Sequence, residues 1–206
     1  MFADRVDAGV RLARALGAYA NDETAIVLGV PRGGVIVAAE VARALHLPLD
    51  VVVASKIGAP ENPEFAVGAV DEAGEVIENP VVSVSAAYMR EAAAERHAEV
   101  MRRAALYRGG REPLDMRGRT AIIVDDGIAT GLTVRKAVSF LRARGAARIV
   151  VAAPVMPPDT KTARGALAED VVALETPWDF SAVGRWYREF GQTSDAEVIA
   201  ALRSVG

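Results

Sequence analysis

Ala121-Ile122-Ile123-Val124-Asp125-Asp126-Gly127-Ile128-Ala129-Thr130-Gly131-Leu132-Thr133 reads as a buried strand that ends in two acids, crosses a short Gly/Thr loop and enters a helix. Its apolar run shows no polar alternation, the pattern of a strand covered on both faces. Outward from this stretch, similar β-branched runs predict strands over 25–30, 50–54, 120–124, 148–152 and 170–174. Helical stripes lie between them. Val35, Ala38, Val41, Ala42 and Leu45 line one face of 34–45, and Val134, Ala137, Val138 and Leu141 line one face of 130–144. Strands alternating with helices imply a parallel sheet with right-handed crossovers. The fold class expected is α/β: a doubly wound, mainly parallel five-stranded sheet flanked by helices.

Three segments fall outside that alternation. Residues 2–20 form an amphipathic leading helix. The stretch 57–117 is too long for one crossover and reads as an inserted loop (58–63), hairpin (66–77) and charged helix (86–107). From Thr176 the chain carries an aromatic cluster, then a helix opened by a capping box, Ser194 with Glu197. The expectation is a single domain over 1–206, with its core at 24–175 and a small hood built from 1–23 and 176–206.

Composition narrows the chemistry. The 206 residues are 51% hydrophobic and 25% charged, which excludes a disordered chain. Absence of cysteine removes disulfides, zinc–thiolate sites and cysteine nucleophiles together. Two histidines, His46 and His97, leave little for a histidine-rich metal centre, and both read as structural. No apolar run approaches the ~18 residues of a membrane span, and Asp4 stands where a signal peptide would carry basic residues. The net charge of −3 and pI near 5.5 argue against a broad nucleic-acid face. A cytoplasmic protein working with carboxylates, hydroxyls, cations and backbone amides is expected.

In a doubly wound sheet the ligand crevice lies at the carboxyl ends of the strands. The loop after Asp126 would present backbone N–H groups at a helix N-terminus, where a phosphate meets exposed donors and the helix dipole. Gly131 permits close approach, and Thr130 and Thr133 add hydroxyl donors. Two carboxylates cannot face the same phosphate without repulsion. They suit ribose hydroxyls or a magnesium ion. The order acid-acid-x-x-x-Thr-Gly-x-Thr therefore describes a cradle for a ribose 5-phosphate. Paired acids of a receiver-like domain and a plain strand-to-helix turn are the competing readings.

The segment resembles the 5-phosphoribosyl-1-pyrophosphate (PRPP) motif of type I phosphoribosyltransferases. That resemblance implies that Asp125 and Asp126 hold the ribose hydroxyls; a base near the acceptor nitrogen is a further role open to one of the two. It further implies that Ala129, Thr130, Gly131, Leu132 and Thr133 wrap the 5-phosphate. The sequence Gly29-Val30-Pro31-Arg32-Gly33-Gly34 fails as a Walker A loop, because Val35 stands where its lysine should be. It is similar instead to the family's pyrophosphate loop, with Arg32, Gly33 and Gly34 on the leaving group. Lys56, after the second strand, reads equally as a pyrophosphate cation and as a solvated lysine. The implied cofactor is Mg2+, held mainly by PRPP with no dedicated protein ligand, Asp125 or Asp126 being the side chains that could reach it. The implied partners are PRPP and a small-molecule acceptor, a nitrogen nucleophile of the nucleobase kind, on a homodimer. A sensor that binds PRPP or a nucleotide without turnover is the alternative.

Arg102, Arg103, Arg108 and Arg111 could supply charge when the insertion closes over the site, or belong to a solvated helix face paired with Glu91, Glu95 and Glu99. In the tail, Trp178, Phe180, Trp186, Tyr187 and Phe190 either pack the hood or stack on a planar acceptor, with Trp186 and Tyr187 as acceptor-side candidates. The loop 154–159 borders the same crevice.

Overall fold

The computed structural model describes residues 1–62, 65–80, 82–129, 131–162 and 168–205. Five parallel strands form the main sheet: β1 (Ala25–Gly29), β2 (Leu49–Val51), β6 (Thr120–Val124), β7 (Arg148–Val155) and β8 (Asp170–Glu175), in the order β2-β1-β6-β7-β8. This is the expected architecture. Side chains alternate between two apolar layers. Val27, Ile122, Val124 and Val150 face α1 (Arg5–Ala15), α2 (Gly33–Leu45) and α6 (Asp195–Arg203); Ile26, Ile123, Ile149 and Val151 face α4 (Leu132–Ala143). Both sides are dry, so the strands need no polar positions.

Leu28 pairs with Ile123 and Gly29 with Val124, so β1 and β6 end level with each other. From β1 the chain winds through α2 to β2 on one side. From β6 it winds through α4 to β7 on the other. The strand order reverses between these two neighbours, which opens a crevice beyond their carboxyl ends. Residues 30–34, 125–129 and Gly131 form its rims.

The insertion forms its own antiparallel sheet of β3 (Ala54–Gly58), β4 (Ala66–Asp71) and β5 (Val76–Glu78), followed by α3 (Ala86–Arg108). The hairpin and helix expected there are present. The second core strand needs correction: 50–54 is not one strand. Its ladder with β1 ends at Val51, and the chain re-enters extended structure at Ala54 in the second sheet. Lys56 therefore stands on β3, opposite Ala69, and not at the end of a core strand. The leading helix is also shorter than expected, Arg5–Ala15 capped by Asp4, with a 3-10 turn at Gly17–Tyr19. Pro154 belongs to β7, not to a loop: it lies beyond Ala152, the last β7 residue paired with β6.

Two buried ionic contacts fasten the small sheet to the main body. Lys136 of α4 meets Asp71 of β4 at 2.8 Å, with side-chain exposures of 4% and 1%. Arg108, read as a surface or closing cation, is instead buried at the end of α3. It donates to Glu72, to Asp50 and to the Val51 carbonyl. Arg102 and Arg103 do pair on the surface with Glu99 and hold its carboxyl at about 2, the Arg102 hydrogen bond being the largest cause. Among the described residues no helix is long and apolar enough to cross a membrane.

Candidate active site

The crevice is a cavity of about 420 Å³ in which Arg32, Gly33, Lys56, Asp125, Asp126 and Thr133 come together. Six of the residues singled out in the sequence, spread over a hundred positions, thus share one space. Each arrives by a separate structural route. Arg32 is the N-cap of α2, Lys56 comes from β3, the acids follow β6, and Thr133 opens α4.

The glycines explain how the rims approach each other. A Cβ on Gly34 would lie 2.8 Å from the Asp125 Cα and 2.9 Å from the Val124 carbonyl, so the α2 loop packs directly on the β6 strand end. Gly131, with φ +71°, is the N-cap of α4 in the left-handed region that favours glycine. Gly34, Ala129, Gly131 and Leu132 shape the rims without lining the cavity, and Thr130 lies outside the described residues.

Among the described α-helices longer than two turns, capping differs between those at the crevice and the others. Asp4, Ser85 and Ser194 cap α1, α3 and α6 with their side chains, and Ser194 completes the expected capping box with Glu197. Neither α2 nor α4 has a side-chain cap. The first amides of a helix have no intrahelical partner, so these two termini present donors and positive dipole ends to the crevice.

The acids are held differently. Asp125 Oδ1 accepts from the Asp126 N–H at 2.8 Å. Burial, then the neighbouring Asp126 charge, push the Asp125 carboxyl well above the usual carboxylate range. Burial also raises Asp126, while Arg5 pulls it back. The Arg5 Nε donates to Asp126 Oδ2 at 2.8 Å from the start of α1. Arg5 carried no functional signal in the sequence, because its partner is 121 positions away.

The tail closes the far side. The chain termini pair here: Phe2 N–H donates to the Trp186 carbonyl, and Arg188 N–H to that of Phe2. Tyr187 is buried between Phe2 and Phe190, and its hydroxyl donates to the Asp126 carbonyl at 2.5 Å. Burial pushes its phenol upward. It forms the wall behind the acid, and neither it nor Trp186 lines the cavity. The residues that do are Phe190, Gly191, Gln192 and Thr193, of which Gln192 is the chain's only glutamine. The aromatic cluster pointed to this region but not to the right ring. Lone polar residues such as Gln192 give no periodic signal.

A doubly wound sheet whose crevice opens at the switch point between two loop-to-helix turns defines an α/β protein of the kind that receives ligands beyond its strand ends. The chain belongs to the phosphoribosyl transferase domain family, whose profile matches residues 4–185. Two curated proteins of Mycobacterium tuberculosis, provisionally named phosphoribosyl transferases, are 47% identical over 98% of this chain. This chain spans 46% of their length. The crystal structure of TT1426 from Thermus thermophilus shares 44% identity and a TM-score of 0.82, covering 98% of both chains. A purine phosphoribosyltransferase from Pyrococcus horikoshii, 17% identical, has the same fold at a TM-score of 0.50, covering 94% of this chain and 97% of that one.

Proposed function

We propose that this protein transfers the 5-phosphoribosyl group of PRPP to a nitrogen nucleophile, with release of pyrophosphate. The observation that carries this reading is the pair of helix N-termini without side-chain caps, α2 and α4, on either side of the Asp125–Asp126 pair. Two anionic groups joined by a polyhydroxylated ring match that order of donors, acids and donors.

In this reading the α4 terminus, with Gly131, Leu132 and Thr133, receives the 5-phosphate, and Asp125 and Asp126 accept hydrogen bonds from the ribose hydroxyls. The loop from Arg32 to Gly34 and Lys56 receive the pyrophosphate. As the nitrogen attacks C1 of the ribose, the bond to pyrophosphate breaks and negative charge grows on the departing group. Arg32, Lys56 and the α2 amides are fixed where that charge develops, which lowers the barrier without a protein nucleophile. The proton lost by the acceptor nitrogen needs a base. Asp125, whose burial raises its affinity for a proton, suits that task.

Magnesium enters as part of the substrate, Mg·PRPP. The cavity's carboxylates are the Asp125–Asp126 pair, one already bonded to Arg5. This donor set suits a cation whose remaining ligands are pyrophosphate oxygens. When bound, the ion neutralises the leaving group. On the acceptor side the Phe190 ring and the Gln192 amide suit a planar heterocycle with polar edges.

The test is pyrophosphate release from Mg·PRPP over a panel of nucleobases and other nitrogen nucleophiles. Release that depends on one acceptor supports transfer. Tight PRPP binding with no acceptor-dependent release would assign the protein to sensing, and absence of PRPP binding would overturn the reading.

A further inference from the structure

Arg5 contacts the Asp126 carboxylate and the 190–191 segment at once. Its Nε donates to Asp126 Oδ2, and its Nη1 donates to the Gly191 carbonyl, both at 2.8 Å. The guanidinium carbon lies 4.0 Å over the centre of the Phe190 ring. The contact with Asp126 is largely shielded, with side-chain exposures of 13% and 15%. It also sits hard against the pyrophosphate loop: a Cβ on Gly33 would overlap Asp126 Oδ2 and lie 2.6 Å from Arg5 Nε. Only a residue with no side chain can stand there while this ion pair is made.

We propose that Arg5 is a positioning residue that fixes the Asp126 carboxylate against the 32–34 loop and ties the 190–193 wall to it. The ribose-binding acid and the acceptor-side wall are thereby held as one unit by a residue of α1. The proposal rests on the reading of Asp126 as a ligand of the ribose hydroxyls. The chemistry of the side chain fits the task. A guanidinium is a planar fork whose edge makes directed bonds to two acceptors while its face lies on an aromatic ring. The two bonds leave in different directions, one to the carboxylate and one to the strap backbone, so displacing either partner loosens the other. An ammonium could keep the charge beside Asp126 but has no planar fork to bond both partners while lying over the ring.

The experiment is calorimetric titration of Mg·PRPP and, separately, of Mg·pyrophosphate into the wild type and the Arg5→Met, Arg5→Lys, Asp126→Asn and Arg5→Met/Asp126→Asn proteins. Circular dichroism establishes that each is folded. Arg5→Met is expected to weaken Mg·PRPP about tenfold, the size of one charge-assisted hydrogen bond partly transmitted. Mg·pyrophosphate, which lacks the ribose hydroxyls that Asp126 would hold, should lose clearly less affinity than Mg·PRPP. Arg5→Lys should recover part of the PRPP affinity, and Arg5→Met should add no further loss to the Asp126→Asn protein. Equal loss for both ligands, or the same loss in the Asp126→Asn background, would overturn the proposal, because Arg5 would then act independently of Asp126. Wild type that binds Mg·PRPP with Arg5→Met indistinguishable from it overturns this proposal alone. Wild type that does not bind Mg·PRPP overturns the functional reading, and this proposal with it.

Discussion

Replacing Lys136 by methionine removes the ammonium that answers the Asp71 carboxylate inside the protein. The two atoms are 2.8 Å apart, and the side chains are 4% and 1% exposed, so water cannot take over the lost contact. Breaking one partner of a buried pair costs about 3–5 kcal/mol. Asp71 keeps two backbone donors, the amides of Ala73 and Glu75 at 2.9 and 3.1 Å, which places the expected loss near the lower end, about 3 kcal/mol. For a chain of this size that corresponds to a fall in Tm of about 6–12 °C. Neutralising both partners is different. In Lys136→Met/Asp71→Asn the amide oxygen still accepts from Ala73 and Glu75, no charge is stranded, and stability should return to within about 1 kcal/mol of wild type. Urea unfolding of the wild type, Lys136→Met, Asp71→Asn and the double variant measures this, with the midpoint and slope fitted separately. A loss below about 1 kcal/mol for Lys136→Met, or a double variant as weak as the sum of its parts, would refute the reasoning. The result bears on the proposed site because α4 carries Thr133 and the small sheet carries Lys56, and this bridge is one of the contacts that hold the two together.

Other consequences follow from the site. Asp125 is buried beside Asp126 and its folded-state carboxyl is raised, so the folded protein favours the protonated form. Its contribution to stability is complete below the unfolded value near 4 and is lost as pH rises through the folded value; Asp125→Asn should therefore raise stability at pH 8 and raise it less at pH 5, measured by thermal melts. A change of the same size at both pH values would contradict this. Gly34→Ala pushes a methyl into the Val124 carbonyl and the Asp125 backbone, neither of which can rotate away, and should cost about 1–3 kcal/mol while weakening Mg·PRPP binding. Gly131→Ala meets no close atom but must hold φ at +71°, so it should cost about 1–2 kcal/mol in urea unfolding.

The main sheet was legible because its strands are short apolar runs with clear ends. Thr120–Val124 is bounded by Arg119 and Asp125, and its span is the one read from the sequence. The run 51–54 carries no such mark. It is apolar throughout, and periodicity cannot tell where a chain leaves one sheet for another when both are buried. The loops of the candidate site were legible because their chemistry is local: Asp125 and Asp126 stand beside the α4 loop, and Arg32 beside two glycines. Arg5, Arg108 and Lys136 were not. Each is a charged residue on a helix, which reads as solvent-facing, and each meets an acid at least 36 positions away. Such pairings exist only once the chain has folded.

If Asp125, Asp126 and the two helix termini beside them form a PRPP site, titration of Mg·PRPP into the wild type and into Asp125→Asn/Asp126→Asn will show it. Saturable binding of one PRPP per chain is expected for the wild type, weakened at least tenfold in the double variant while the protein stays folded. Absence of binding to the wild type, or equal binding by both proteins, would contradict that assignment.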